Sequence, residues 1–200
     1  MVDGIIFVWF AWMGLVIAVF FQKASFNRTL LAFVFLLAIC LIHTTVETFN
    51  VTVSALWLLL LGIGYFLLMK YRVNTAYAMI ILIMLTAAFT AIQLFAIYDP
   101  VFTFLYTRWS ISAILLVIIH LTINGTFERC SFLILSIVHG EMILGMIFNG
   151  MGFERVIGEL ASLDILAISV MSTAAWSGFV KVTLHLEKLL KKHQERRGYS

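Results

Sequence analysis

Seven apolar runs of 17 to 23 residues divide this sequence, and each is close to the ~20 residues that a helix needs to cross a hydrocarbon core of about 30 Å. They cover residues 4–21, 29–45, 51–69, 75–97, 101–123, 130–149 and 164–184. A backbone in lipid must satisfy its own polar groups, so long Leu, Ile and Phe runs without alternation read as helices and not as strands. The fold class expected is therefore all-α: a polytopic membrane protein with a bundle of seven transmembrane helices over residues 1–184 and a basic tail over 185–200. Composition excludes the soluble alternative, since 63% of the 200 residues are hydrophobic, 12% are charged and the mean hydropathy is +1.08.

The basic residues orient the bundle. Eleven of the thirteen fall on one side: Lys23 and Arg28, Lys70 and Arg72, Arg129, and then Lys181, Lys188, Lys191, Lys192, Arg196 and Arg197. The opposite side collects Asp3, Glu47, Asp99, Glu154, Glu159 and Asp164 around Arg155. Cytoplasmic loops carry the excess of Lys and Arg, which puts the N-terminus outside and the C-terminus inside a plasma membrane. Asp3 before the first run and Lys23 after it favour a retained helix over a cleaved signal. The net charge of +3 is concentrated in the tail, which argues against nucleic-acid binding and for contact with anionic lipid headgroups at the C-terminal tail, with room for a cytoplasmic protein partner. Between the sixth and seventh runs, Val156, Ile157 and Leu160 fall at helical spacing beside Glu154, Arg155 and Glu159, as in a short amphipathic turn lying on the outer interface.

Ionisable groups within a span cost about 2.5 to 3.5 kcal/mol at a helix centre for Asp, Lys or Arg, so each needs a partner or a purpose. The candidate intramembrane polar site comprises Arg108, Glu141, Gln93, His43, His139 and Asp164, with His120 nearer the cytoplasmic end. Counted from the outer ends of their runs, Arg108 and Glu141 lie at similar depth on consecutive antiparallel helices, and they are expected to pair. Arg108 shares a stripe with Ser112 and should face Thr90 and Gln93 across the preceding turn. His139 points about 200° away from Glu141 and needs an interhelical partner of its own. Ala87 and Ala91, and Ala174 and Gly178, form small-xxx-small pairs suited to close helix contacts. Cys40 and Cys130 differ in depth by roughly 15 Å and are not expected to join.

No catalytic signature is present: neither HExxH, GxSxG nor a phosphate-cradling Gly loop before Lys occurs, so no enzyme, cofactor or metal is expected. Lys181 sits near the cytoplasmic end of the last run without a carboxylate on the third, unlike a retinal Schiff base with its counter-ion. An internal repeat is not supported, as only Arg28 and Arg129 recur in place and Pro100 is the sole proline, at an ordinary helix start.

The aromatic first run, IIFVWFAWMGLVIAVFFQK, the seven-span layout and the basic tail together resemble the YphA family of small Bacillota membrane proteins over the whole chain. The resemblance implies a bacterial envelope protein and carries no functional residue with it. Two functions are expected from the sequence. One is an accessory or scaffold protein of the cell envelope. The alternative is a small-solute or proton-coupled transporter using Glu141 and Arg108, which a water-filled outer cavity reaching those residues would favour.

Overall fold

The computed structural model describes residues 2–48, 51–71, 74–98 and 106–198, and of these the side chains of 48, 98 and 189–198 are left aside. Seven helices occur among them: α1 (Ile5–Val16, continuing as a π-helical turn Ile17–Phe21), α2 (Phe26–Leu41), α3 (Ala55–Lys70), α4 (Thr75–Tyr98), α5 (Arg108–Thr122), α6 (Thr126–Gly150) and α7 (Leu160–Gly198). Three are long and apolar enough to cross a membrane by themselves, at Thr75–Ile97, Thr126–Gly150 and Leu160–Lys188; the other four are shorter apolar helices.

The three long helices differ in what surrounds them. In α6 the hydrophobic window is 67% buried, against 28% in α4 and 44% in α7. A helix that is apolar on every face belongs inside, and α6 packs against α3, α4, α5 and α7. Glycines set the closest approaches. A Cβ on Gly140 would stand 2.4 Å from the ring of Phe89 on α4, and one on Gly64 of α3 would stand 2.7 Å from Leu135. Polar tethers reinforce these seams: the Trp57 indole donates to the Val138 carbonyl at 2.9 Å, Ser112 of α5 donates to the Ile165 carbonyl of α7 at 3.1 Å, and the Tyr77 hydroxyl donates to the Thr122 carbonyl. The small-residue pairs expected at helix contacts are elsewhere. Ala87, Ala91, Ala174 and Gly178 are exposed, and nothing lies within 4 Å of a Cβ on Gly178. Spacing alone finds a small face but not the side on which a neighbour stands.

Strand structure is a second departure. The first four residues of the third run instead form a strand, β2 (Val51–Ser54), which pairs with β1 (Thr45–Thr48) from the end of the second run and the segment after it, antiparallel with Thr45 opposite Ser54 and Val46 opposite Val53. Second-run residues beyond Leu41 are likewise outside α2, which starts earlier, at Phe26 behind the Ser25 cap. The segment is rich in β-branched residues, which favour a pleated backbone once helical periodicity is lost. The free edge of β2 takes a third partner: Ile157, in the segment between α6 and α7, makes a parallel bridge to Val53, accepting from Ser54 N and donating to the Thr52 carbonyl, both at 2.9 Å.

That pairing overturns the amphipathic turn expected around Val156, Ile157 and Leu160. The segment folds back along α6, Ile157 is buried, and a Cβ on Gly145 would meet it at 2.5 Å. Gly158 then turns at φ +87°, with space for a Cβ closed by Trp57 at 2.7 Å, so no other residue fits that position comfortably. The start of the fifth run, with Asp99 and Pro100, lies outside the described residues, as does Arg72.

Gly140→Ala is expected to destabilise the protein by about 1–3 kcal/mol, because the Phe89 ring it meets is itself fully buried. Gly62→Ala, with nothing within 4 Å, should be neutral or slightly stabilising. Thermal unfolding of the purified protein in detergent compares the two.

Candidate functional site: two buried carboxylate clusters

Arg108 is the first residue of α5, capped by Thr107, and is not deep within a helix. Glu141 is nine residues short of the C-terminal end of α6, or about 13 Å at 1.5 Å per residue. The expected Arg108–Glu141 pair therefore does not form. Depth counted from residue 101 places Arg108 too far along the helix, because α5 begins at Arg108. Each residue instead finds its partners on α7 or on the segment leading into it.

Glu141 is 1% exposed and has four donors. Its Oε1 accepts from Arg155 Nη2 at 3.2 Å and from the Ser162 hydroxyl; its Oε2 accepts from the backbone N–H groups of Gly158 and Glu159, both at 3.3 Å. Those amides stand at the N-terminal end of α7, where unpaired N–H groups and the positive end of the helix dipole favour an anion. Arg155 also contacts Glu159 at 2.8 Å and lies 5.2 Å from the centroid of the Phe148 ring, while its backbone N–H is held by Asn149 Oδ1 at 3.0 Å.

Asp164 does the same for another helix. It is fully buried, and its Oδ2 and Oδ1 accept from the N–H groups of Gly4 and Phe7 at 3.0 and 2.9 Å, capping α1 from a residue 157 positions further along the chain than Phe7. Gly4 opens α1 at φ +84°, a left-handed conformation that glycine adopts without strain. Arg108 bridges Asp164 and Asp3.

The two clusters share one design. Each has two carboxylates on one guanidinium, and the surplus negative charge faces a helix N-terminus. Glu159 reports the crowding: burial raises its carboxyl above the ordinary range, Arg155 opposes the rise, and Glu141 and Asp3 add to it.

The remaining candidates lie apart from this network or at its edge. His139 donates from Nδ1 to the Leu135 carbonyl, at 2.6 Å, and reaches the Tyr65 hydroxyl of α3 through Nε2 at 2.9 Å, the interhelical partner its direction required. His43 is exposed beyond α2 and lines a small pocket of about 190 Å³ with Asp3, Gly4 and Trp9. Gln93 is half-buried on α4, and among the described residues no hydrogen bond joins it to either cluster. Thr90, expected opposite Arg108, packs at Gly140 instead. The contributions of Asp3, Arg155 and Ser162 were missed. Arg155 carried a usable signal, as the one base in the acidic loop group. Asp3 carried none beyond its place among the acids near the helix ends, and Ser162, which is buried, carried none. Among the described residues no group of three His, Cys, Asp or Glu side chains could hold a metal, and Cys40 and Cys130 are free.

Apolar helices of spanning length around a charged network with its own partners define an integral membrane protein. The chain belongs to the YphA-like integral membrane protein family, which matches it over residues 3–198. It is 26% identical over 162 residues to the protein named "Uncharacterized protein YphA" of Bacillus subtilis (strain 168), an alignment covering 78% of this chain and 77% of that protein. No solved structure matches it.

Glu141→Ala and Asp164→Ala are each expected to cost about 3–5 kcal/mol, the range for stranding a buried partner. In double-mutant cycles read by chemical unfolding, Glu141 should couple to Arg155 and Asp164 to Arg108, while Glu141 and Arg108 should be additive. A coupling between those last two would revive the direct pair. Glu159 gives a pH signature. Its folded pKa is raised, so its contribution favours folding at low pH and is lost as pH rises through that folded value. Glu159→Gln should flatten that part of the stability profile without lowering stability at neutral pH.

Proposed function

We propose that this protein is a seven-span accessory or scaffold protein of the bacterial cell envelope, N-terminus outside and C-terminus inside the plasma membrane. The observation that carries the reading is the saturation of both buried carboxylates by the protein's own donors: Glu141 has a guanidinium, a hydroxyl and two amides, and Asp164 has two amides and a guanidinium. A proton or solute carrier needs such groups to exchange partners with water or substrate. Here they hold helix ends together, which supports a structural role and leaves the outward surfaces to act.

Support for the orientation comes from the arrangement of ends. The N-termini of α1, α5 and α7, the β-hairpin, and Asp3, Glu47, Glu154 and Glu159 share one end, while Lys23 between α1 and α2, Arg28 and Arg129 in the first turns of α2 and α6, and Lys70 at the last residue of α3 stand at the other. The shorter helices are expected to span with local bilayer thinning. α7 continues to Gly198, and its surface from Trp176 through Phe179, Val182 and Leu186 is exposed, an apolar and basic helix available to a protein partner and to anionic headgroups.

Cysteines introduced at Glu47 and Glu159 should label from outside intact cells, and those at Lys70 and Lys192 should not; labelling of Lys192 reverses the orientation. Proteoliposomes carrying the protein should leak protons no faster than empty ones. A flux abolished by Glu141→Gln would replace the scaffold with the transporter. A photo-crosslinker at Leu186 should yield a discrete protein adduct in cells, and adducts to lipid alone would count against a scaffold.

A further inference from the structure

The hairpin of α1 and α2 stands at the margin of the bundle. Within α2 only Ala38 is buried, and Leu30, Leu31, Phe33 and Leu36 are exposed. The two helices touch at Gly14, where a Cβ would lie 2.5 Å from the Phe35 ring. Beside that contact they bound a groove of about 520 Å³, running from Trp12 and Leu36 toward Phe20 and Thr29, where the chain turns. Its walls are almost wholly apolar, with Val16, Val19 and Ala32 along the floor and sides.

The mouth is different in kind. Lys23 stands in the turn immediately beyond Phe20, and Arg28 lies in the first turn of α2 beside Thr29, its backbone N–H held by the Ser25 hydroxyl at 3.3 Å. Among the described residues neither side chain makes an ion pair. The positive end of the α2 dipole adds to them. An apolar channel along two helices, ending at two unpaired cations and a helix N-terminus, matches a molecule with a long hydrocarbon body and an anionic head.

We propose that this groove is a binding site for an anionic phospholipid, one acyl chain lying between α1 and α2 and the headgroup phosphate held by Lys23 and Arg28. The site is separate from the headgroup contacts of the tail, and it requires the membrane character of the chain but not a scaffold role.

The test uses the full chain purified in detergent, with phosphatidylglycerol, phosphatidylcholine or inorganic phosphate added. Phosphatidylglycerol should raise Tm beyond phosphatidylcholine, because a ligand bound only by the folded state stabilises it. Inorganic phosphate should leave Tm unchanged. In native mass spectrometry of the folded fraction, Lys23→Gln/Arg28→Gln should lower retained phosphatidylglycerol about tenfold, the effect of ~1.4 kcal/mol of lost headgroup contact. Ala32→Trp, which fills the groove with both charges intact, should lower it as well. Lys181→Gln/Lys188→Gln should retain the preference. Equal stabilisation by the two lipids, an equal shift with phosphate alone, or loss of the preference only in the tail variant overturns the proposal.

Discussion

Glu141 is the constraint on which the end of the bundle holding the N-termini of α1, α5 and α7 depends. The segment between α6 and α7 turns back along α6 and carries irregular backbone with it, and such backbone is tolerated beside lipid only where protein satisfies its polar groups. Ile157 is satisfied by the edge of β2, and Gly158 and Glu159 by the Glu141 carboxylate. Removing the carboxylate leaves two amides and a hydroxyl without their acceptor at once, and leaves the Arg155 guanidinium with the Glu159 carboxylate alone among the described residues. The position of α7 follows from this anchor, and Asp164, five residues into α7, then reaches the first turn of α1.

The charges thus act as joints between helices and not as isolated pairs. An anion placed on a helix N-terminus gains from several aligned amides, and a guanidinium shared by two carboxylates holds the second acid near the first. This is why one arginine suffices for each pair of acids. It also explains the shape of the network, in which α6 holds α7, α7 holds α1, and α5 closes the last contact through Arg108 and Ser112.

Much of this architecture is legible in the sequence, and the misses have physical causes. The apolar runs identify all seven helices, because length and hydropathy are properties of a segment by itself. The Arg108 and Ser112 stripe is real, but it faces α7 at Asp164 and Ile165 and not α4 at Gln93, since a stripe gives a direction and not the helix found there. The Glu141 partner was hidden for a different reason: a loop that doubles back changes depth without changing any spacing along the chain. The pairing of β1 with β2 is concealed by hydropathy, which counts Val the same in a strand as in a helix. His139 needed only an outward partner, and Tyr65 meets that requirement through a hydroxyl no spacing rule would select.

The long reach of the Asp164 cap bears on how the chain is made. The acceptor for the Gly4 amide lies 160 residues later, and the most enclosed helix is the sixth to be synthesised. Helices α3, α4 and α5 therefore leave the ribosome before the one they pack around, and the first amides of α1 stay uncapped until nearly the whole chain has emerged. Glu141 likewise enters ahead of Arg155 and Ser162. The bundle is thus completed late, and a nascent chain arrested before α7 lacks the contacts that α1, α5 and α6 make with it.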